Sequence, residues 1–212
     1  MGSKRTERSR KRSYHHGDLK RALLEASIEL LREQGVEALT VAEVGRRVGV
    51  SSAAPYKHFK DRQALLRAVA MEGNYRLNEA MAEALEGIQD PWEAFRQSGV
   101  VYIRFAAENP NLYRLMTDPS LLDYANPPED AKAPGALEGM TETFWRDVGA
   151  LLVSGEALSA NHPLIEQLRG RALAHGVAGF FVSGIFGALG ISTADAERVA
   201  RLVLGEDVPA RE

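Results

Sequence analysis

The sequence predicts an all-α fold of about nine helices, with a small basic N-terminal domain followed by a larger helical one. Three observations support this prediction. Ala, Leu, Glu and Arg dominate a composition that is 45% hydrophobic and 26% charged, which is typical of a globular helical protein. Apolar residues recur at helical spacing, and capping residues and prolines divide the chain into segments of helical length. A chain of 212 residues can bury a full core.

Charge is distributed unevenly along the chain. Residues 1–62 contain fourteen Lys or Arg and eight Asp or Glu, a net charge of +6, so the remainder carries −9 of the total −3. A positive end on an acidic body suits a protein that brings one end to a polyanion, either nucleic acid or an anionic membrane surface. The absence of cysteine excludes disulfides and thiolate metal sites, and we expect a cytoplasmic protein.

The sequence of the N-terminal third predicts a basic arm followed by three helices. Residues 1–13 have nothing to bury and are predicted to be disordered in isolation. The first helix covers 17–34 and ends at Gly35. The second follows a capping box formed by Thr40 and Glu43 and ends at Gly49. After a three-residue turn, Ser51 or Ser52 caps a short third helix that ends at Phe59.

The rest of the chain is predicted to be helical as well. Asp61 caps a helix of about seven turns from Arg62 to near Glu86, and Asp90 caps a helix that runs from Pro91 to Glu108. Asn109-Pro110 breaks that helix. We expect short helical pieces at 111–124, a loop at 125–134, and helices near 136–154, 163–189 and 193–204.

Two runs in the N-terminal third carry a specific resemblance. LTVAEVGRRVGVS at 39–51, followed by YKHFKDRQALL at 56–66, resembles the helix-turn-helix DNA-binding head of the tetracycline-repressor (TetR/AcrR) family. The resemblance implies a DNA-binding head at 14–62 and a helical dimerisation and ligand-binding domain at 63–212. His175-Gly176 in an apolar helix also looks like the C-terminal domain of one subgroup.

The expected DNA-contacting residues lie in and around these two runs. Small or polar residues suit the start of a helix that enters the major groove, and tyrosine, histidine and basic side chains suit phosphate contacts. Pro55 disfavours an α conformation at Ala54, so a late start or a distorted first turn is expected for the third helix. The predicted DNA-binding residues are Thr40, Arg47, Ser51, Ser52, Ala53, Tyr56, Lys57, His58 and Arg62.

Residues 172–194 form an uncharged segment long enough to cross a bilayer. Its glycines and polar residues, and the acidic remainder without flanking anchors, argue against a membrane span. An apolar helix rich in small residues instead suits packing against its own domain and against a second subunit. We therefore predict a homodimer and no membrane association, with interface residues Gly176, Phe180, Phe181, Gly184 and Ile185.

In the family that the chain resembles, a small molecule entering the helical body changes the separation of the two heads. The candidates for lining such a cavity are mostly aromatic and suit a small apolar or aromatic effector, although ordinary core packing explains each of them equally well. They are Met81, Trp92, Tyr102, Phe105, Tyr113, Trp145 and His175. No cofactor and no metal is predicted.

Two other classes of function were weighed against a ligand-responsive repressor that binds operator DNA. A helical-bundle enzyme would require Glu-x-x-His pairs, a His-Glu-x-x-His motif or a Gly-rich phosphate loop, and the sequence has none of these. A membrane-surface adaptor would use the pattern Met1-Gly2-x-x-x-Thr6 for myristoylation, a match loose enough to arise by chance. We expect a regulator and not an enzyme.

Overall fold

The computed structural model describes residues 16–121, 144–154 and 159–205, and within these ranges the fold is all-α. The described residues contain nine α-helices, short 3-10 turns and no strand. This confirms the predicted fold class. The α-helices are α1 (His16–Gln34), α2 (Val41–Val48), α3 (Arg62–Ala84), α4 (Pro91–Glu108), α5 (Pro110–Met116), α6 (Phe144–Val153), α7 (Pro163–Val182), α8 (Ile185–Ala188) and α9 (Ala196–Val203).

Side-chain caps set several helix ends. The side chains of Asp61 and Asp90 each accept a backbone N–H bond of 2.7 Å at the start of α3 and α4. Thr40 does the same for α2 at 3.2 Å. Glu43, however, does not complete the predicted capping box, because its carboxylate binds Arg46 through bonds of 2.7 and 2.8 Å.

Two predicted helices are interrupted. The predicted third helix is a turn at 52–54 followed by a 3-10 turn at Pro55–Lys57. The predicted helix over 163–189 is also not continuous, because α7 ends at Val182 and α8 begins after Gly184. Gly184 has a φ of 82°, a left-handed conformation that redirects the chain and that favours glycine.

One hydrophobic core joins the N-terminal helices to the body. Its buried members come from α1 to α5, for example Leu23, Val44, Val69, Val101 and Leu112. Within this core α3 packs against α1 on one side and against α4 and α5 on the other, so it connects the N-terminal helices to the body.

In the body, α4 and α7 pack side by side and run in the same direction. Phe95 lies against Gly170, where a Cβ would be 2.5 Å from the ring, and Tyr102 lies beside His175. Helix α9 packs against both of these helices, where Ala200 is buried with Val100 of α4 and Val177 of α7. This arrangement brings aromatic and polar side chains of α4 and α7 together.

Some sequence predictions concern other parts of the chain. The arm at 1–13, the loop at 125–134 and the predicted helical residues 136–143 lie outside the described residues. The domain boundary between residues 62 and 63 stays a prediction.

Candidate DNA-binding and effector sites

Residues 51–59, called the recognition segment here, are held against α2 by a close contact between Gly45 and Pro55. The Pro55 ring is fully buried, and a Cβ on Gly45 would lie 2.4 Å from its Cγ. Ala54 has φ −65° and ψ −43°, so proline does not force it out of the α region. Two backbone hydrogen bonds of 3.0 Å form tight turns in the segment: Ala54 N–H donates to Ser51 O, and His58 N–H donates to Pro55 O. Glycine in α2 makes this close approach possible.

The recognition segment presents polar and small residues to solvent. Ser51, Ser52, Ala53 and Lys57 are exposed, and half of the surface of Tyr56 is accessible. Thr40 is also exposed, at the N-terminus of α2. These predicted DNA-contacting residues are therefore accessible to a double helix, with hydroxyl, phenol and ammonium groups as donors.

Three other predicted contact residues are hydrogen-bonded to, or partly buried by, other residues of the chain. Arg47 pairs with Glu33 at 2.7 Å, and its side chain is only 27% exposed. Arg62 donates to two backbone carbonyls, Leu39 O at 2.9 Å and Val36 O at 2.7 Å.

His58 is the third of these residues. Its Nε2 is buried and has no hydrogen-bond partner among the described residues. This nitrogen cannot reach a phosphate in the present conformation.

The body contains a second polar cluster formed by Tyr102, Tyr113 and His175. The Tyr102 hydroxyl donates to the Tyr113 oxygen at 3.2 Å, and the Tyr113 hydroxyl lies 2.8 Å from Nδ1 of His175. Tyr102 is itself 3.0 Å from the same Nδ1. Burial raises the pKa of Tyr113, and the hydrogen bond from Tyr102 opposes that shift. Tyr113 therefore keeps its phenolic proton at neutral pH and can donate a hydrogen bond within the cluster.

Arg171 and Gln167 extend this cluster along α7, and sequence reasoning missed both. The Arg171 guanidinium lies 4.3 Å from the ring centroid of Phe144 and 5.5 Å from that of Phe95. Burial lowers the pKa of Arg171 to about 10, and nearby Tyr102 opposes the shift. Polar residues at 167, 171 and 175, spaced four apart and therefore on one face of α7, were the signal that could have revealed this face.

The other predicted effector residues lie around the body in different surroundings. Met81 and Phe105 are partly buried against the core that joins α1 to α5. Trp92 and Trp145 are about half exposed, and their rings meet Phe95 and Phe144 edge-on. The structure thus brings Tyr102, Tyr113 and His175 together, with Tyr113 buried and His175 exposed, and leaves the two tryptophans apart from them at the surface.

The predicted interface residues are mostly accessible. Phe180 and Ile185 are about half exposed, Gly176 and Gly184 are exposed, and Leu189 nearby is 70% exposed. Phe181 differs, because its ring is partly buried and packs edge-on against Phe186 at 4.7 Å. An accessible apolar surface of this kind is typical of a protein interface.

Two searches of the described residues give negative results. No helix within 16–121, 144–154 and 159–205 is long and apolar enough to cross a membrane. In the same part of the chain, no group of three or more His, Asp or Glu side chains is arranged to hold a metal ion.

Together, the capped helix, the recognition segment and the helical body define a helix-turn-helix DNA-binding regulator. Two family models match the chain. Residues 23–69 match the tetR family of bacterial regulatory proteins, and residues 95–206 match the tetracyclin repressor-like C-terminal domain. The chain belongs to the TetR family of transcription regulators, whose members bind operator DNA and dimerise.

Solved structures agree with this fold. A protein of unknown function from Rhodococcus sp. RHA1 is 28% identical, with 92% of this chain and 97% of that chain covered and a TM-score of 0.58. A putative TetR-family regulator from Rhodococcus sp. is 23% identical, with 88% and 94% covered and a TM-score of 0.54. A TetR variant from Acinetobacter baumannii AYE in complex with minocycline is 18% identical, with 91% and 93% covered and a TM-score of 0.51.

Proposed function

We propose that the chain is a homodimeric repressor that leaves its operator when a small apolar or aromatic molecule binds the body. The proposal rests on the occurrence of two sites in one chain: an exposed recognition segment, and a polar cluster in the body formed by Tyr102, Tyr113 and His175. A polar cluster among aromatic side chains is typical of a small-molecule site. Family membership favours a regulator over an enzyme.

Operator binding in this proposal depends largely on phosphate contacts. Tyr56 and Lys57 are the strongest candidates, because both are exposed and neither has an ion-pair partner among the described residues. Ser51, Ser52 and Ala53 face the major groove and offer only short side chains for reading bases. Sequence selectivity then depends on half-site spacing and on DNA shape.

The remaining contacts are proposed with weaker effects. Thr40 reaches a phosphate at the positive end of α2, where the helix dipole favours an anion. Arg47 and Arg62 must share their guanidinium groups with Glu33 and with backbone carbonyls. His58 must first turn its buried Nε2 outward.

Dimerisation is proposed through the exposed apolar surface of α7 and α8. Among the described residues no atom lies within 4 Å of a Cβ added to Gly176, so the α7 backbone there is open to close approach by a second helix. Phe180, Ile185 and Leu189 supply apolar area around it. Two linked heads then bind two half-sites of an operator, which one short recognition segment cannot do with high affinity.

A titration of the full chain against its own upstream DNA, at several salt concentrations, tests the proposal. Replacing Lys57 by Ala removes one phosphate contact per protomer, so the slope of log affinity against log salt should fall by about two for the dimer. Arg146→Ala is the control, since this exposed basic residue lies in α6 of the body. Binding without sequence selectivity, or an equal effect of both variants, would refute the proposal.

A further inference from the structure

Arg62, the first residue of α3, is hydrogen-bonded to the segment that leads into α2. Its Nε donates to Leu39 O at 2.9 Å, and its Nη2 donates to Val36 O at 2.7 Å. These carbonyls lie 23 and 26 residues earlier in the chain. The planar fork of a guanidinium makes both bonds at once and in one orientation. The start of α3 is therefore tied to residues 36–39, called the 36–39 turn here.

The N–H groups that Arg62 uses in this tether are not available to a phosphate. Nε has a single proton, which Leu39 O accepts. The carboxylate of Glu37 also lies 3.9 Å from Nη2, although the Arg62 side chain is 43% exposed. A side-on contact, in which Nε and Nη2 both donate to one phosphate, therefore requires that the tether break.

The tether lies between two parts of the proposed DNA-binding surface. Leu39 is fully buried, and the next residue, Thr40, caps α2 by accepting the Glu43 N–H at 3.2 Å. That bond uses the hydroxyl oxygen as an acceptor and leaves its proton for a phosphate. On the other side, the buried Phe59 ends the recognition segment shortly before Arg62. Arg62 therefore helps to set the distance between Thr40 and the recognition segment.

We propose that Arg62 is a positioning residue for operator binding, which holds Thr40 at the distance from the recognition segment that lets both contact the same DNA. Its main contribution is made through Thr40 and not through a phosphate contact of its own. This inference rests on the proposed function, in which Thr40 and the recognition segment bind the operator. Lysine cannot replace arginine in this role, because an ammonium group lacks the fixed fork that bonds both carbonyls.

Amide hydrogen exchange of the full chain without DNA tests the tether itself. In Arg62→Lys we expect exchange in the peptide that covers residues 36–44 to become about tenfold faster, because the turn and the first turn of α2 open more often. Exchange in α4 should change less, since it reports opening of the body. No change at 36–44, or an equal increase in α4, overturns the inference.

Operator titrations of Arg62→Lys and Arg62→Gln separate positioning from a phosphate contact. A phosphate contact would tolerate lysine, and Arg62→Gln would then lower the salt slope by about two for the dimer. We expect instead that both variants lose affinity about tenfold to hundredfold, as the loss of one contact per protomer predicts. Arg67→Gln is the matched charge control, because Arg67 is exposed on the same helix, and Arg62→Gln should change the slope no more than this control does. Wild-type affinity in Arg62→Lys overturns the inference.

A double-mutant cycle shows whether Arg62 acts through Thr40. Thr40→Ala should weaken operator binding about tenfold in the wild-type background and less than about twofold in Arg62→Lys, where that contact is already lost. Lys57→Ala should weaken binding equally in both backgrounds, because Lys57 belongs to the recognition segment. A merely destabilising effect of Arg62→Lys would leave the effect of Thr40→Ala unchanged, and that result overturns the inference.

Operator binding of the wild-type protein is measured first. If the wild-type protein shows no selective binding, the proposed function is wrong, and the exchange experiment alone decides whether the tether exists. If the wild-type protein binds selectively and Arg62→Lys binds equally well, only the positioning role of Arg62 is wrong.

Discussion

Gly45 determines how the recognition segment sits on α2, and replacing it by Ala tests this directly. In an open helical position, Gly→Ala stabilises a helix by up to about 1 kcal/mol. At Gly45 the new Cβ would lie 2.4 Å from Pro55 Cγ, whereas ordinary contacts begin at 3.4 Å. The rigid Pro55 ring must therefore move by about 1 Å, and the recognition segment moves with it.

At Gly45 the substitution should lower the free energy of unfolding, whereas at an open helical position it would raise it. Overpacking of this kind costs about 1–3 kcal/mol, which exceeds the gain in helix propensity. We therefore expect Gly45→Ala to lower the free energy of unfolding by about 1–2 kcal/mol. The shift also displaces Tyr56 and Lys57, and losing one charge-assisted contact per protomer weakens operator affinity at least tenfold.

Urea denaturation at fixed protein concentration and fluorescence anisotropy with labelled operator measure the two effects. Gly149→Ala in α6 is the control, because no atom of the described part of the chain lies within 4 Å of the added Cβ, and it should stabilise the protein slightly. Pro55→Ala combined with Gly45→Ala should recover part of the loss, since the clash is removed. If Gly45→Ala stabilises the protein and leaves operator affinity unchanged, the proposed role of this contact is refuted.

Two further predictions concern stability. Asp61→Ala removes the cap that accepts the Ala64 N–H at 2.7 Å, and should lower the free energy of unfolding by about 1 kcal/mol in urea; an unchanged midpoint would contradict it. The hydrogen bond from Arg201 and the charge of Arg104 lower the pKa of Glu197. Its carboxylate therefore stabilises the fold above the unfolded pKa, and this contribution is lost as pH falls through the folded pKa. Glu197→Gln should lose less stability between pH 6 and pH 3 than wild type, and equal losses would refute this reasoning.

Helix ends were predictable where a local rule determines them. Asp90 with Pro91 begins α4, and Asn109 with Pro110 ends it, as the sequence predicted. The short third helix was not predictable in detail. Pro55 was expected to act on Ala54 through backbone sterics, but Ala54 remains in the α region, and the decisive contact is between Pro55 and Gly45, ten residues earlier.

The candidate effector site shows the same limit. Tyr102, Tyr113 and His175 were predicted as separate aromatic or polar positions, and only the packing of α4, α5 and α7 brings their polar atoms within 3.2 Å. Arg171 was overlooked because a single arginine in a helix is ordinarily a surface residue. Its position between two rings depends on how α4, α6 and α7 pack, which no local pattern specifies.

Helix α5 contacts both the polar cluster of the body and α1 of the head, and is therefore a candidate for the coupling between effector and operator binding. Tyr113 on α5 belongs to the polar cluster of the body. Two residues earlier, the Nδ2 of Asn111 donates to Leu31 O near the end of α1, at 3.0 Å. Because α5 has only seven residues, we expect an effector that displaces Tyr113 to shift Asn111 as well, and so to move α1 of the head through the hydrogen bond to Leu31 O.

Asn111→Ala removes that connection and should leave effector affinity nearly unchanged. The ratio of operator affinities without and with saturating effector should fall about twofold to tenfold, which corresponds to one hydrogen bond. Asn74→Ala is the matched control, because within the described residues the Asn74 amide donates only to Ala70 O, one turn back in α3. An unchanged ratio in Asn111→Ala, or an equal fall in both variants, would mean that the head responds through α3 packing and not through α5.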